Sequence, residues 1–185
     1  MVADKVAYVT DAFGNYVGSK SFDDAASEDA SVVEAVKTAA AGAYAAASEK
    51  NISRIVKMYK DAEVVTLTPT GVQSTVNGAY TFTSEGATYY AMTASAFGYG
   101  GPVNLLYIVD ENGTIAKFKV MSHNETEYYG DVVSQSSYTN GYPGQQLDSI
   151  GDDVLVVSGC TFTTNAVKTA AADVAAAFNA VKEAQ

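Results

Sequence analysis

The chain has 185 residues, a hydrophobic fraction of 48% and a formal charge of −10, so it can bury a core but lacks the clustered Lys and Arg that grip a phosphate backbone. Nucleic acid is thereby excluded as a partner. A single cysteine, Cys160, excludes an internal disulfide, and one histidine beside it does not make a zinc site of the usual N/S type; no metal is expected.

The apolar runs Leu105 to Val109 and Val154 to Val157 fall far short of the roughly 20 residues that cross a bilayer. After Met1 comes "VADK", without the basic and apolar pattern of a signal segment. The chain is rich in Thr, Ser, Tyr and Ala and poor in Lys and Arg. The chain is therefore either cytoplasmic or trimmed of its targeting segment, and composition favours the second: the expectation is an extracytoplasmic protein, at the cell surface or membrane-anchored through a segment outside this chain.

In chain order, the spacing of Val32, Val36, Ala39, Ala40, Ala43 and Tyr44 predicts a helix from about Ser31 to Ala47. A second, short helix is predicted in "ISRIVKMYKDA", with Ile52, Ile55, Val56 and Tyr59 on one face. After Pro69 the period changes. "GAYTFTS", "ATYYAMTASAF", "VNLLYIV" and "TIAKFKVMS" are β-branched or aromatic runs separated by turn residues, and they read as strands. Asn112-Gly113 between the last two is a hairpin signal, and "SEGAT", Ser84 to Thr88, is a hairpin turn carrying no site. Ser134 to Gly151 reads as a long loop, Val154 to Val157 as a four-residue strand, and the final helix carries Val167, Val174, Phe178 and Val181 on one stripe.

"AVKTAAA" occurs at Ala35 to Ala41 and again at Ala166 to Ala172, an offset of 131 residues that also sets Ser27 on Ser158 and Ala30 on Thr161. Either two alanine-rich helices coincide, or the first ~47 residues are the tail of an earlier, degenerate copy of one domain. The expected division is a helical segment 1–47 and a domain 48–185.

The richest junction is "VSGCTFTTNAV", where Ser158, Gly159, Thr161, Thr163 and Thr164 precede the last helix. A helix N-terminus exposes unpaired N–H groups and partial positive charge, which suits a phosphate. Thr163 or Thr164 is the expected N-cap, and Gly159 permits close backbone approach. No Walker lysine and no G-x-G-x-x-G accompany it.

Ser158-Gly159-Cys160-Thr161-Phe162-Thr163 resembles the S/T-G-A-T-x-T/S signature of the FMN-binding domain family. "GYGGPVNLLYIVDENGTIAKFKVMSHNET", Gly98 to Thr126, is similar to that family's G-Y-G-G-P-I strand, D-x-x-G-x-I hairpin and H-x-E-T loop, in the same order. The family includes flavin subunits of the Rnf complex and of the sodium-pumping NADH:quinone oxidoreductase, and extracellular electron-transfer lipoproteins.

The resemblance implies an α+β fold, a twisted, mainly antiparallel sheet with flanking helices. It implies FMN joined through its phosphate to Thr161, beside Ser158, Gly159, Cys160, Thr163 and Thr164. Gly100, Gly101 and Pro102, then His123, Glu125 and Thr126, are the other residues implied around the flavin. Tyr128 and Tyr129 offer π-surfaces for stacking. The implied function is electron transfer rather than stand-alone catalysis, with a redox partner protein or a quinone- or NADH-linked membrane complex. Two positions and one loop depart from the family pattern: Leu155 stands where an Asp usually precedes the signature, Cys160 replaces Ala, and "ETEYYGD" replaces E-T-P-G-L-G-D.

Overall fold

The computed structural model describes residues 6–22, 27–69, 71, 75–127 and 130–184. The chain divides into two compact units, Met1–Ser53 and Arg54–Gln185.

In the first unit, β1 (Val6–Thr10) and β2 (Tyr16–Ser21) form an antiparallel hairpin, an element that the sequence pattern did not signal. The turn is fastened by Asp11, whose Oδ1 accepts the Phe13 and Asn15 N–H groups at 2.9 and 2.8 Å. Helix α1 (Ala30–Met58) follows and ends in the second unit. Its start is capped by Asp29, whose carboxylate accepts the Ser31 N–H at 2.8 Å and the Ser31 hydroxyl at 2.6 Å. Two helices were expected here, and one continuous helix is found. The residues between them, Ser48-Glu49-Lys50-Asn51, include neither Gly nor Pro, so nothing in the backbone ends the helix.

The second unit is built on a five-stranded antiparallel meander in the order β3-β4-β5-β6-β7. The strands are β3 (Glu63–Leu67), β4 (Val76–Ser84), β5 (Ala87–Phe97), β6 (Pro102–Asp110) and β7 (Ile115–Ser122). Glu85 and Gly86, both at positive φ (52° and 79°), make the two-residue turn between β4 and β5, whose twist matches that of the strands. The α+β class expected from the sequence is the class observed.

Helix α4 (Thr161–Glu183) packs on the sheet with Val167, Ala170, Ala171, Val174, Phe178 and Val181 buried. Each large apolar side chain in that stripe contributes about 2 kcal/mol of burial. Phe178 meets Tyr90 edge-on, ring centroids 5.3 Å apart. On the other face of β4 and β5, Phe82 and Tyr89 stack with centroids 5.4 Å apart, and Tyr59 lies 4.9 Å from Phe82.

The segment expected as a loop from Ser134 carries short helices, a 3-10 turn at Asp131–Ser134, α2 (Ser136–Thr139) and α3 (Leu147–Asp153). They are anchored by Tyr138 and Tyr142, of which Tyr142 stacks on Phe118 at 3.9 Å. The expected strand Val154 to Val157 does not form. It links α3 to α4 without pairing to a strand, and Leu155 and Val156 face solvent. A four-residue apolar run does not by itself distinguish strand from connector.

Candidate functional site

Three segments far apart in sequence meet at one end of the sheet. The β5–β6 turn, Gly98 to Gly101, closes with the Gly98 N–H donating to the Gly101 carbonyl at 2.8 Å. The segment that leaves β7 carries His123, Glu125 and Thr126. The third segment is the turn entering α4, where the Cys160 N–H donates to the Val157 carbonyl at 3.0 Å and Gly159 sits at φ +83°. That left-handed backbone favours glycine, and the turn delivers Thr161 as the first residue of α4.

Glu125 holds the three together. Its Oε2 accepts the Thr163 hydroxyl at 2.8 Å and the Gly100 N–H at 3.1 Å, while the Tyr99 N–H points at the Thr163 oxygen at 3.5 Å. The fit is close: a Cβ on Gly98 would collide with the Glu125 Oε1, one on Gly130 with Oε2, and one on Gly100 with the Asn124 carbonyl. The Glu125 N–H donates to His123 Nδ1 at 3.2 Å, so the histidine ring shapes the loop as a hydrogen-bond acceptor.

The expected caps are corrected. The N-cap of α4 is Cys160, with no side-chain cap bond. Thr164 is fully buried and its hydroxyl turns back to the Cys160 and Thr161 carbonyls at 3.1 and 3.3 Å. Thr163 is 1% exposed and is committed to Glu125. The first intrahelical bond runs from the Thr164 N–H to the Cys160 carbonyl, which leaves the N–H groups of Thr161, Phe162 and Thr163 with no partner inside the helix.

Beside this helix start lies a cleft of about 450 Å³ lined by Tyr99, Thr126, Gly130, Gly159, Cys160, Phe162 and Thr163. Four of these, Thr126, Gly159, Cys160 and Thr163, were singled out from the sequence. Tyr99, Gly130 and Phe162 were not, although Tyr99 lies inside "GYGGP" and Phe162 inside "SGCTFT". Thr161, Ser158 and Gly100 are exposed, and Gly101 and Pro102 are half-buried at the start of β6. Glu125 is behind the wall, acting as a clip. Tyr128 and Tyr129 lie outside the described residues.

Residues 98–176 match the family model of the FMN-binding domain. The matched segment contains all the motifs that meet around the cleft, and it makes FMN the cofactor. Three curated relatives, each the G subunit of a redox complex, are similar over parts of their length. That of the proton-translocating ferredoxin:NAD(+) oxidoreductase complex of Clostridium ljungdahlii is 29% identical over 86 residues, covering 42% of this chain and 46% of the relative. Its counterpart in the ion-translocating oxidoreductase complex of Cereibacter sphaeroides is 33% identical over 75 residues, covering 39% and 34%. The counterpart from Shewanella loihica is 29% identical over 100 residues, covering 48% and 47%. The chain thus spans less than half the length of these relatives.

The residues of the matched segment fit FMN. The N–H groups at the start of α4 that have no partner inside the helix suit a phosphate. Tyr99 and Phe162, 76% and 73% exposed with centroids 6.3 Å apart, offer aromatic surface to a flat ring. The cleft volume lies within the ordinary range for a small-molecule site.

Proposed function

We propose that this chain is an extracytoplasmic electron-transfer domain whose FMN is attached through its phosphate to the Thr161 hydroxyl. The observation that carries this reading is the place of Thr161, an exposed hydroxyl on the first residue of a 23-residue helix, next to the cleft and after the positive-φ Gly159. Attachment by a flavin transferase joins the Thr161 oxygen to the FMN phosphorus of a flavin dinucleotide donor; the phosphoanhydride bond breaks, the nucleoside monophosphate leaves, and the hydroxyl proton is released. The phosphodiester keeps one negative charge, which the start of α4 stabilises by about 1 kcal/mol.

When bound, FMN supplies one- and two-electron redox chemistry. The chain's own residues place it: Gly159 sets the approach of Thr161, Glu125 ties the "GYGG" turn to α4, and Tyr99 and Phe162 keep water from the cleft wall. Among the described residues no helix is long and apolar enough to cross a membrane. The relatives are named as subunits of oxidoreductase complexes, and we assign this chain a partner of that kind, a redox protein or a membrane-bound redox complex.

Intact mass after export with a flavin transferase tests the reading. The expected result is a gain of one FMN less a water, retained in Thr161→Ser and absent in Thr161→Val. Flavin mass that persists in Thr161→Val refutes attachment at that residue. The exposed Leu155, where the family has Asp, favours a second reading in which the fold is kept and the flavin lost; protein that stays colourless in this experiment and binds no free FMN would establish it.

A further inference from the structure

The hairpin of the first unit repeats the β6–β7 hairpin of the FMN-binding domain, bond for bond, at an offset of 99 residues. In "YVTDAFGNY", Asp11 Oδ1 accepts the Phe13 and Asn15 N–H groups at 2.9 and 2.8 Å; in "YIVDENGTI", Asp110 Oδ1 accepts those of Asn112 and Thr114 at 2.9 and 2.8 Å. The Gly14 N–H donates to the Asp11 carbonyl at 3.2 Å, and the Gly113 N–H to the Asp110 carbonyl at 3.1 Å. The Asp11 N–H meets the Asn15 carbonyl at 2.9 Å and the Asp110 N–H the Thr114 carbonyl at 2.9 Å. Gly14 and Gly113 have φ of 78° and 80°.

The helices repeat as well. Helix α1 begins at Ala30 and α4 at Thr161, 131 residues apart, and "AVKTAAA" starts at the sixth residue of each. An Asp-fastened turn alone recurs in unrelated hairpins. A turn, a tyrosine three residues before its Asp, a helix start and a seven-residue identity in the same order are together a duplicated unit.

The two offsets differ by 32 residues, and the missing stretch is the one that seats the flavin. Between Val120 and Ser158 lie 37 residues, including His123, Glu125, Thr126 and Gly130; between their counterparts Ser21 and Ser27 lie five. The counterpart of Thr161 is Ala30, which has no hydroxyl, and that of Gly159 is Glu28.

The counterpart of β1 is Leu105 to Val109 in β6, an inner strand with β5 on one side and β7 on the other. Among the described residues β1 has a partner only in β2. Its sequence is that of an inner strand, Val6-Ala7-Tyr8-Val9-Thr10, with no charge, glycine or proline to blunt a free edge. By contrast, β2 carries Gly18 and Lys20, as its counterpart β7 carries Lys117 and Lys119.

We propose that residues 6–58 are the hairpin-and-helix half of another FMN-binding domain that has lost its flavin seat, and that the outer edge of β1 accepts an antiparallel strand of β5 chemistry from such a domain. The pairing of β5 with β6 sets the register: Tyr90 opposite Val109, Met92 opposite Tyr107, Ala94 opposite Leu105. Transferred by 99 residues, these place Tyr90-, Met92- and Ala94-like residues opposite Thr10, Tyr8 and Val6. Two β1 edges are a poor match for each other, because each chain carries a charge of −10.

The test adds a second copy of residues 87–101 directly before Ala3 of the full chain, the spacing that the offset requires. Amide hydrogen exchange at Val6 to Thr10 is expected to slow by at least about tenfold, with cross-strand contacts between Tyr8 and the added copy of Met92. A version with the added segment in reversed order is expected to leave β1 unchanged. The edge assignment is overturned if β1 exchange does not slow, if the added strand protects β3 or β7 instead, or if the unextended chain protects β1 by dimerising as its concentration rises. Flavin content of the unextended chain is read in parallel; more than one flavin per chain overturns the loss of the seat, whereas the absence of any flavin bears only on Thr161.

Discussion

Replacing Thr163 with valine removes one hydroxyl from the clip that joins α4 to the β5–β6 turn. The lost bond is a 2.8 Å donation to a carboxylate oxygen, made by a residue only 1% exposed. Hydrogen bonds to charged groups contribute about 1.5 to 3 kcal/mol. Valine fills the same volume, so no cavity term adds, and the two residues differ little in helix propensity. Glu125 has no easy escape, since Gly98 and Gly130 press on its carboxylate and its Oε1 is already buried without a partner.

The expected cost is about 2 kcal/mol, or a fall in Tm of roughly 4 to 8 °C for a chain of this size. Urea unfolding of the flavin-free protein, followed by near-ultraviolet dichroism of the tyrosines, reads it as a shifted midpoint with unchanged slope. In a Glu125→Gln background the same substitution should cost about 1 kcal/mol, the worth of a neutral bond. A loss under about 0.5 kcal/mol in the wild-type background would refute the clip.

Two further outcomes follow from the geometry. Gly159→Ala puts a Cβ into a backbone at φ +83°, at a cost of about 1 to 2 kcal/mol. It should lower the fraction of chains carrying flavin while Thr161→Ser does not; equal loading in both would separate the turn from the attachment. The buried phenols of Tyr107, Tyr138 and Tyr142 have pKa values raised above the ordinary 10 by burial, helped for Tyr107 by Tyr138 and for Tyr142 by both neighbours. A raised folded pKa contributes stability that is fully present below the unfolded value and is lost as pH rises toward the folded one, so stability should fall as pH climbs past about 10. Tyrosinate absorbance should show these three ionising together with loss of dichroism, and ionisation ahead of unfolding would contradict their burial.

The sequence by itself determined the elements whose signal is local. The strands β4 to β7 announce themselves by residue type and by their turns, because an Asp-fastened Asn-Gly and the pair Glu85-Gly86 each fix a hairpin within a few residues. The apolar stripe of α4 was legible for the same reason, its period being set by helix geometry alone, and the ordered motifs "GYGGP", "DENG", "HNET" and "SGCT" pointed to the family before any fold was known. Tertiary structure decided what depends on partners distant in sequence. Thr163 and Thr164 look alike as capping residues, yet one is spent on Glu125, 38 positions away, and the other on its own helix carbonyls. Val154 to Val157 reads as a strand, yet in the fold it is an unpaired connector between α3 and α4. The likeness of the hairpin at residues 6–21 to β6 and β7 shows in its hydrogen bonds more plainly than in its letters, because the backbone bonds of a turn persist when the side chains around it change.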